Sequence, residues 1–116
     1  MSTSVALTGH LIPWAKKLAD TSDQTIATGS QGITKTLESV MVSADATGDD
    51  FSLWASDGTI IYYLANGVTV SQDAPFQIKE HPWPILPGWS LKCKAATGGH
   101  LDVTAVLIQS TTTQSG

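Results

Sequence analysis

Residues 89–107 carry the pattern that most restricts the fold. Trp89, Leu91, Cys93 and Ala95 are apolar, and Ser90, Lys92 and Lys94 between them are polar. Beyond Gly98-Gly99 the same phase resumes, with Leu101, Val103, Ala105 and Leu107 set against Asp102 and Thr104. A helix cannot place a strict period of two on one face, whereas a strand with one buried face does so at every second residue. The two runs are expected to form a half-buried hairpin closed by the glycine pair, with the Pro87-Gly88 corner in front of it.

Turn signals upstream extend this reading. Phe51–Ala55 is followed by Asp57-Gly58, and Thr59–Ala65 by Asn66-Gly67 and Val68–Val70. Asp-Gly and Asn-Gly suit two-residue hairpin turns, whose central residues need positive φ, so a three-strand meander is expected. Thr59–Tyr63 is apolar on both faces, which fits a central strand or an interface. Residues 33–45 are rich in β-branched residues, and a slip of phase between Leu37 and Val40 predicts a bulge. Phe76 and Ile78 alternate with Gln77 and Lys79 as another short strand. Prolines 82, 84 and 87 keep this stretch out of a sheet interior and favour an extended, polyproline-like segment. The sum is an all-β chain, an antiparallel β-sandwich or jelly roll of about seven to eight short strands.

The ends read differently. Residues 1–32 are expected as an extended N-terminal arm, residues 33–110 as the sandwich domain and residues 111–116 as a polar C-terminal tail. Pro13 suits the first position of a short helix, which would put Leu11, Trp14, Ala15 and Leu18 on one face. Leu11, Ile12, Trp14 and Leu18 are therefore candidate contacts with another subunit or protein. On this reading, removal of residues 1–24 leaves a folded core.

The residue types argue against chemistry. Charged residues make up 14% of the 116-residue chain, the net charge is −4, and all six basic residues are Lys. Nucleic-acid recognition leans on Arg forks and basic clusters, so no nucleic-acid partner is expected. The single cysteine, Cys93, excludes an intramolecular disulfide and falls in the apolar phase of its strand, as a buried thiol does. His10, His81 and His100 lack metal-ligand spacing. Asp49-Asp50 invites calcium, but its loop lacks the alternating oxygen ligands of a calcium loop. No GxSxG elbow or glycine-rich phosphate loop is present. No enzyme activity, metal or cofactor is expected. No secretory leader or bilayer-length apolar run is visible, so a soluble protein without a membrane partner is expected. The aromatic residues remain. Trp54 lies out of phase with Phe51, Leu53 and Ala55, so it is either covered by a second layer or exposed. Trp54, Tyr62, Tyr63 and Trp83 are candidate interface residues, and the first three are alternatively a platform for sugar stacking.

From Leu37 to Ile108 the chain resembles the small β-rich virion proteins of tailed bacteriophages. The run Ile85-Leu86-Pro87-Gly88-Trp89-Ser90-Leu91-Lys92, continuing through Gly98-Gly99-His100-Leu101-Asp102-Val103-Thr104-Ala105, carries the resemblance, with Thr59–Val70 in the same style upstream. Gly88-Trp89 stands where such proteins have Gly-Asp. The resemblance implies a non-catalytic jelly-roll subunit that decorates or cements a capsid, or an accessory protein of the neck or tail. It implies self-assembly into a trimer or higher symmetric oligomer and contact with the major capsid protein or other virion proteins. It also implies a place in the virion, assembled in the bacterial cytoplasm. A carbohydrate-binding module for host recognition is the alternative that the aromatic residues allow.

Overall fold

A computed structural model describes the backbone of residues 4–115 and the side chains of residues 10–79 and 82–110. Eight strands follow one another: β1 (Ser4–Leu18), β2 (Gln24–Thr28), β3 (Ile33–Ala44), β4 (Asp49–Ser56), β5 (Ile61–Val70), β6 (Phe76–Ile85), β7 (Ser90–Ala95) and β8 (Leu101–Ser115). One sheet has the order β1-β8-β3-β6 and the other β2-β7-β4-β5, and every pairing is antiparallel.

This order has a simple generator. The pairs β1·β8, β2·β7, β3·β6 and β4·β5 nest inside one another. The chain is thus one long hairpin with its tip at Asp57–Ile60, rolled until β8 meets β3 and β7 meets β4. That is the jelly roll. Only β4 and β5 are consecutive within a sheet, so every other connection crosses from one sheet to the other.

The topology corrects the expected closing hairpin. β7 and β8 lie in different sheets, and residues 96–100 carry the chain across the sandwich. The alternation found the right buried faces, because Leu91, Cys93, Ala95, Leu101, Val103, Ala105 and Leu107 are all in the core. Period two reports which face is buried, and it is silent on which strand lies alongside. The crossing loop is held from below: the Asp49 carboxylate accepts the N–H groups of Thr97 at 3.0 Å and Gly98 at 2.8 Å. The suspected calcium residue Asp49 is therefore engaged with main chain. Asp45, which opens the loop between β3 and β4, pairs with His100 at 2.9 Å. That hydrogen bond from His100 is the main reason the Asp45 carboxyl sits below its ordinary pKa.

Residues 1–32 are not a separate arm. Across the described part, β1 pairs with β8 from Ser4↔Ser115 to Leu18↔Leu101, and β2 pairs with β7. Leu18 and Ile26 sit in the common core. The expected tail is likewise strand as far as Ser115. Residues 1–3 and Gly116 lie outside the described residues. The expected helical turn at Pro13 is strand as well. Two isolated helical turns are unstable in water, whereas β1 gains a full ladder with β8. Pro13 is tolerated because β1 is an edge strand, where no outward N–H is needed.

Two further expectations shift. Asn66-Gly67 makes no hairpin turn and lies within β5 as a bulge, with the register breaking between Val68 and Ala65. Gly67 there has φ 64°, and its N–H donates to the Ser52 hydroxyl at 2.9 Å. The third strand of the meander is therefore the far half of β5. Prolines 82 and 84 lie in β6, which runs from Phe76 to Ile85 as the edge of its sheet; Pro84 pairs with Thr36, and Pro82 falls where the register with β3 breaks. The phase slip near Leu37 is a bulge in β3 against β8, between Leu37 and Ser39; against β6 the register also breaks there, with the extra residues on β6.

The core lies between the sheets. Leu18, Leu37, Val42, Phe51, Leu53, Val70, Leu91 and Leu101 are almost wholly buried. Phe51 and Phe76 meet edge-tilted at 5.6 Å between ring centres.

Candidate interaction surface at the hairpin tip

The tip of the rolled hairpin is apolar where turns are normally polar. The turn takes four residues, Asp57–Ile60, where Asp-Gly had suggested two: the Asp57 carboxylate accepts the N–H groups of Thr59 and Ile60, both at 2.8 Å. These two bonds hold the exposed carboxyl below its ordinary pKa. Immediately after it come Ile60, Ile61, Tyr62 and Tyr63, exposed by 46%, 51%, 53% and 51%. β5 is the edge of its sheet, so Thr59–Tyr63 is not a central strand.

The two tyrosines leave the strand on opposite sides. Tyr62 stands opposite Ala55, and Tyr63 opposite Trp54. Tyr63 reaches Trp54 on the outer face of its sheet, with ring centres 6.0 Å apart. Trp54 is buried there, in register between Tyr63 and Lys92. Tyr62 points along the seam between the two sheets and stacks on Trp89 at 5.7 Å and 28°. The expected platform of Trp54, Tyr62 and Tyr63 is therefore split between two faces, and its tryptophan is covered.

Beside Tyr62 lies an apolar cleft of about 320 Å³, lined by Ala55 and Tyr62, the segment 83–86 and Trp89. Its construction explains the Pro-Gly corner. The Trp89 N–H donates to the Leu86 carbonyl at 3.0 Å, closing a turn with Pro87 and Gly88 at its centre. Gly88 has φ 83°, the positive value that the third position of a type II turn requires. The turn reverses the chain so that Trp83 and Trp89, one on each side of it, both reach the cleft. Gly29 packs under this turn and donates to the Trp89 carbonyl at 2.8 Å. A Cβ on Gly29 would stand 2.0 Å from the Leu86 carbonyl oxygen, so no other residue fits.

The eight candidate interface residues thus separate. Tyr62, Tyr63 and Trp83 gather at the tip and its cleft. Leu11 is exposed on the far edge strand β1, and Ile12 and Trp14 are half-buried against the core. Strand periodicity explains this, since Ile12, Trp14 and Leu18 share the inward phase and Leu11 does not. Leu18 and Trp54 are buried and cannot meet a partner. Ile60, Ile61, Leu86 and Trp89 were not anticipated. Their signal was present in the uncharged run after Asp57-Gly58 and in the tryptophans flanking the Pro-Gly turn.

Among the described residues no three His, Cys, Asp or Glu side chains gather as a metal site would require. Cys93 is buried in the core, and loss of solvation pushes its thiol up to about 12.

Fold and surface define an eight-stranded antiparallel jelly roll with an apolar tip. No protein family matches the chain by sequence, and no curated protein does. The solved structures similar to it include the following two. One is a pentameric capsid protein isolated from metagenomic phage sequences, with 20% identity over 84% of this chain and 59% of that chain, at a TM-score of 0.48. The other, of the same description and solved by iodide phasing, has 20% identity over 84% of this chain and 63% of that chain, at a TM-score of 0.49. The chain therefore spans less than two thirds of the length of either.

Proposed function

We propose that this chain is a non-catalytic structural subunit of a tailed-phage virion, acting as a decoration or cement protein on the capsid. The observation that carries the reading is the tip, where four successive apolar residues are half exposed on an edge strand beside an apolar cleft. A contiguous apolar surface of this kind is the mark of a protein partner. The walls of the cleft are aromatic and aliphatic, whereas catalysis calls for convergent polar groups. The place in a virion comes from the resemblance of residues 85–108 to phage virion proteins, and a jelly roll is the fold that this resemblance implies. The subunit would act as a symmetric homo-oligomer, a trimer or larger, against the major capsid protein or another virion protein.

Gold labelling of purified particles with an antibody to the chain tests this reading. Label spread over the shell is the expected result. Label confined to one vertex assigns the chain to the neck or tail instead, and particles without label refute a virion subunit.

A further inference from the structure

The two sheets expose four edge strands, and three of them are blunted. β1 carries Pro13, Lys16 and Lys17; β6 carries Lys79, Pro82 and Pro84. β2 has five residues and a break of register at Ile26. Charges, prolines, bulges and shortness are the usual devices that stop an edge from pairing with another chain. β5 is different. From Thr59 to Gln72 there is no Asp, Glu, Lys, Arg, His or Pro. Its breaks of register lie beyond Tyr63, so the stretch Ile61–Tyr63 next to the tip is regular.

We propose that this tip edge is a self-association site, in which Ile60–Tyr63 of one copy pairs antiparallel with Ile60–Tyr63 of a second copy across a two-fold axis. The absence of charge points to a second copy as the occupant. A two-fold axis sets each residue against itself or its near neighbour, so any charge in the stretch would face its like. The added strand also closes the cleft, because Tyr62 leaves β5 on the seam side and the incoming apolar side chains cover Trp83 and Leu86. Ile60, Ile61, Tyr62, Tyr63, Trp83 and Leu86 expose roughly 100 Å² each, roughly 600 Å² per copy, against the ~800 Å² per partner of a standard interface. The β5 edge supplies main-chain hydrogen bonds in addition, as in other strand additions.

The inference rests on the same apolar tip that carries the proposed function, and it names a second copy of the chain as what covers that tip. Light scattering during size-exclusion chromatography of the purified full chain tests it. A two-fold contact joins two subunits or two rings of subunits, so breaking it halves the mass in either case. Ile61→Lys should halve the wild-type mass, and Met41→Lys, 45% exposed on the outer face of central strand β3, should leave it unchanged. Ile60→Lys makes the same prediction and serves if Ile61→Lys does not fold, as judged by circular dichroism. A monomeric wild type overturns the inference. So does an Ile61→Lys or Ile60→Lys mass equal to wild type, or a mass halved equally by Met41→Lys. The virion reading is tested on particles, so each can fail without the other.

Discussion

Removing the Asp49 carboxylate tests whether the crossing between the sheets is held as described. Asp49 opens β4 and accepts the N–H of Thr97 at 3.0 Å and of Gly98 at 2.8 Å, as well as that of its neighbour Asp50 at 2.8 Å. Its partners lie nearly fifty residues away, in the segment that takes the chain from β7 to β8. Hydrogen bonds to a charged group contribute about 1.5–3 kcal/mol each, and the half-buried position of Asp49 places the two long-range bonds at the low end. Asp49→Ala strands both amides and should cost about 2–3 kcal/mol. At this chain length that lowers Tm by about 8–12 °C. Asp49→Asn keeps an acceptor without the charge and should cost about 1 kcal/mol. The pH dependence follows from the pKa. Burial raises the Asp49 carboxyl, and the bonds from Gly98, Asp50 and Thr97 together outweigh it, leaving the folded value below the ordinary 3.8. A depressed carboxyl contributes stability above its unfolded pKa and loses it as the pH falls through the folded value. The gap between wild type and Asp49→Asn should therefore be constant near neutrality and close below pH 3.8. Urea and thermal unfolding followed by circular dichroism measure both. If Asp49→Ala lies within about 0.5 kcal/mol of wild type, the anchoring of the crossing loop is refuted.

Further outcomes follow from the same structure. Deleting residues 1–24 removes β1, takes Leu18 from the core and bares β8 along its whole length, so the truncated chain should show no cooperative unfolding transition; a folded truncation contradicts the pairing of β1 with β8. Gly29→Ala sets a methyl group against the Leu86 carbonyl and should cost about 3 kcal/mol or more, whereas wild-type stability would mean that the two segments do not approach so closely. Cys93, its thiol pushed up to about 12, should resist a thiol reagent at pH 8 in the native protein and react fully in denaturant. Fast labelling of the native chain would place it outside the core. Glycan arrays should show no binding that Tyr63→Ala abolishes while the fold is kept, because Tyr62 and Tyr63 face apart.

Much of the fold was legible because strands with one buried face write themselves in period two. The inward residues of β7 and β8, the bulge near Leu37 and the reversal after β4 all follow from local spacing and turn chemistry, although that reversal takes the four residues Asp57–Ile60 and not two. What was not legible is partnership. The jelly roll pairs Ser4 with Ser115 and Leu18 with Leu101, and no local pattern records a neighbour eighty or more residues away. Hence β1 and β2 read as an arm, and the Gly98-Gly99 crossing read as a hairpin. Asn66-Gly67 misled for a related reason, since a bulge demands the same positive φ as a turn. The tip was half legible. Tyr62, Tyr63 and Trp83 stood out as surplus aromatics, but the cleft depends on the Pro87-Gly88 turn bringing the end of β6 over β4 and β5, which only the tertiary structure specifies.

The central claim is that this jelly roll is a many-copy structural subunit, and its copy number per particle tests that most directly. Quantitative mass spectrometry of purified virions, with a labelled standard of this chain, should count hundreds of copies per particle. A count of zero would contradict the account, and a few dozen copies would remove the chain from the capsid shell.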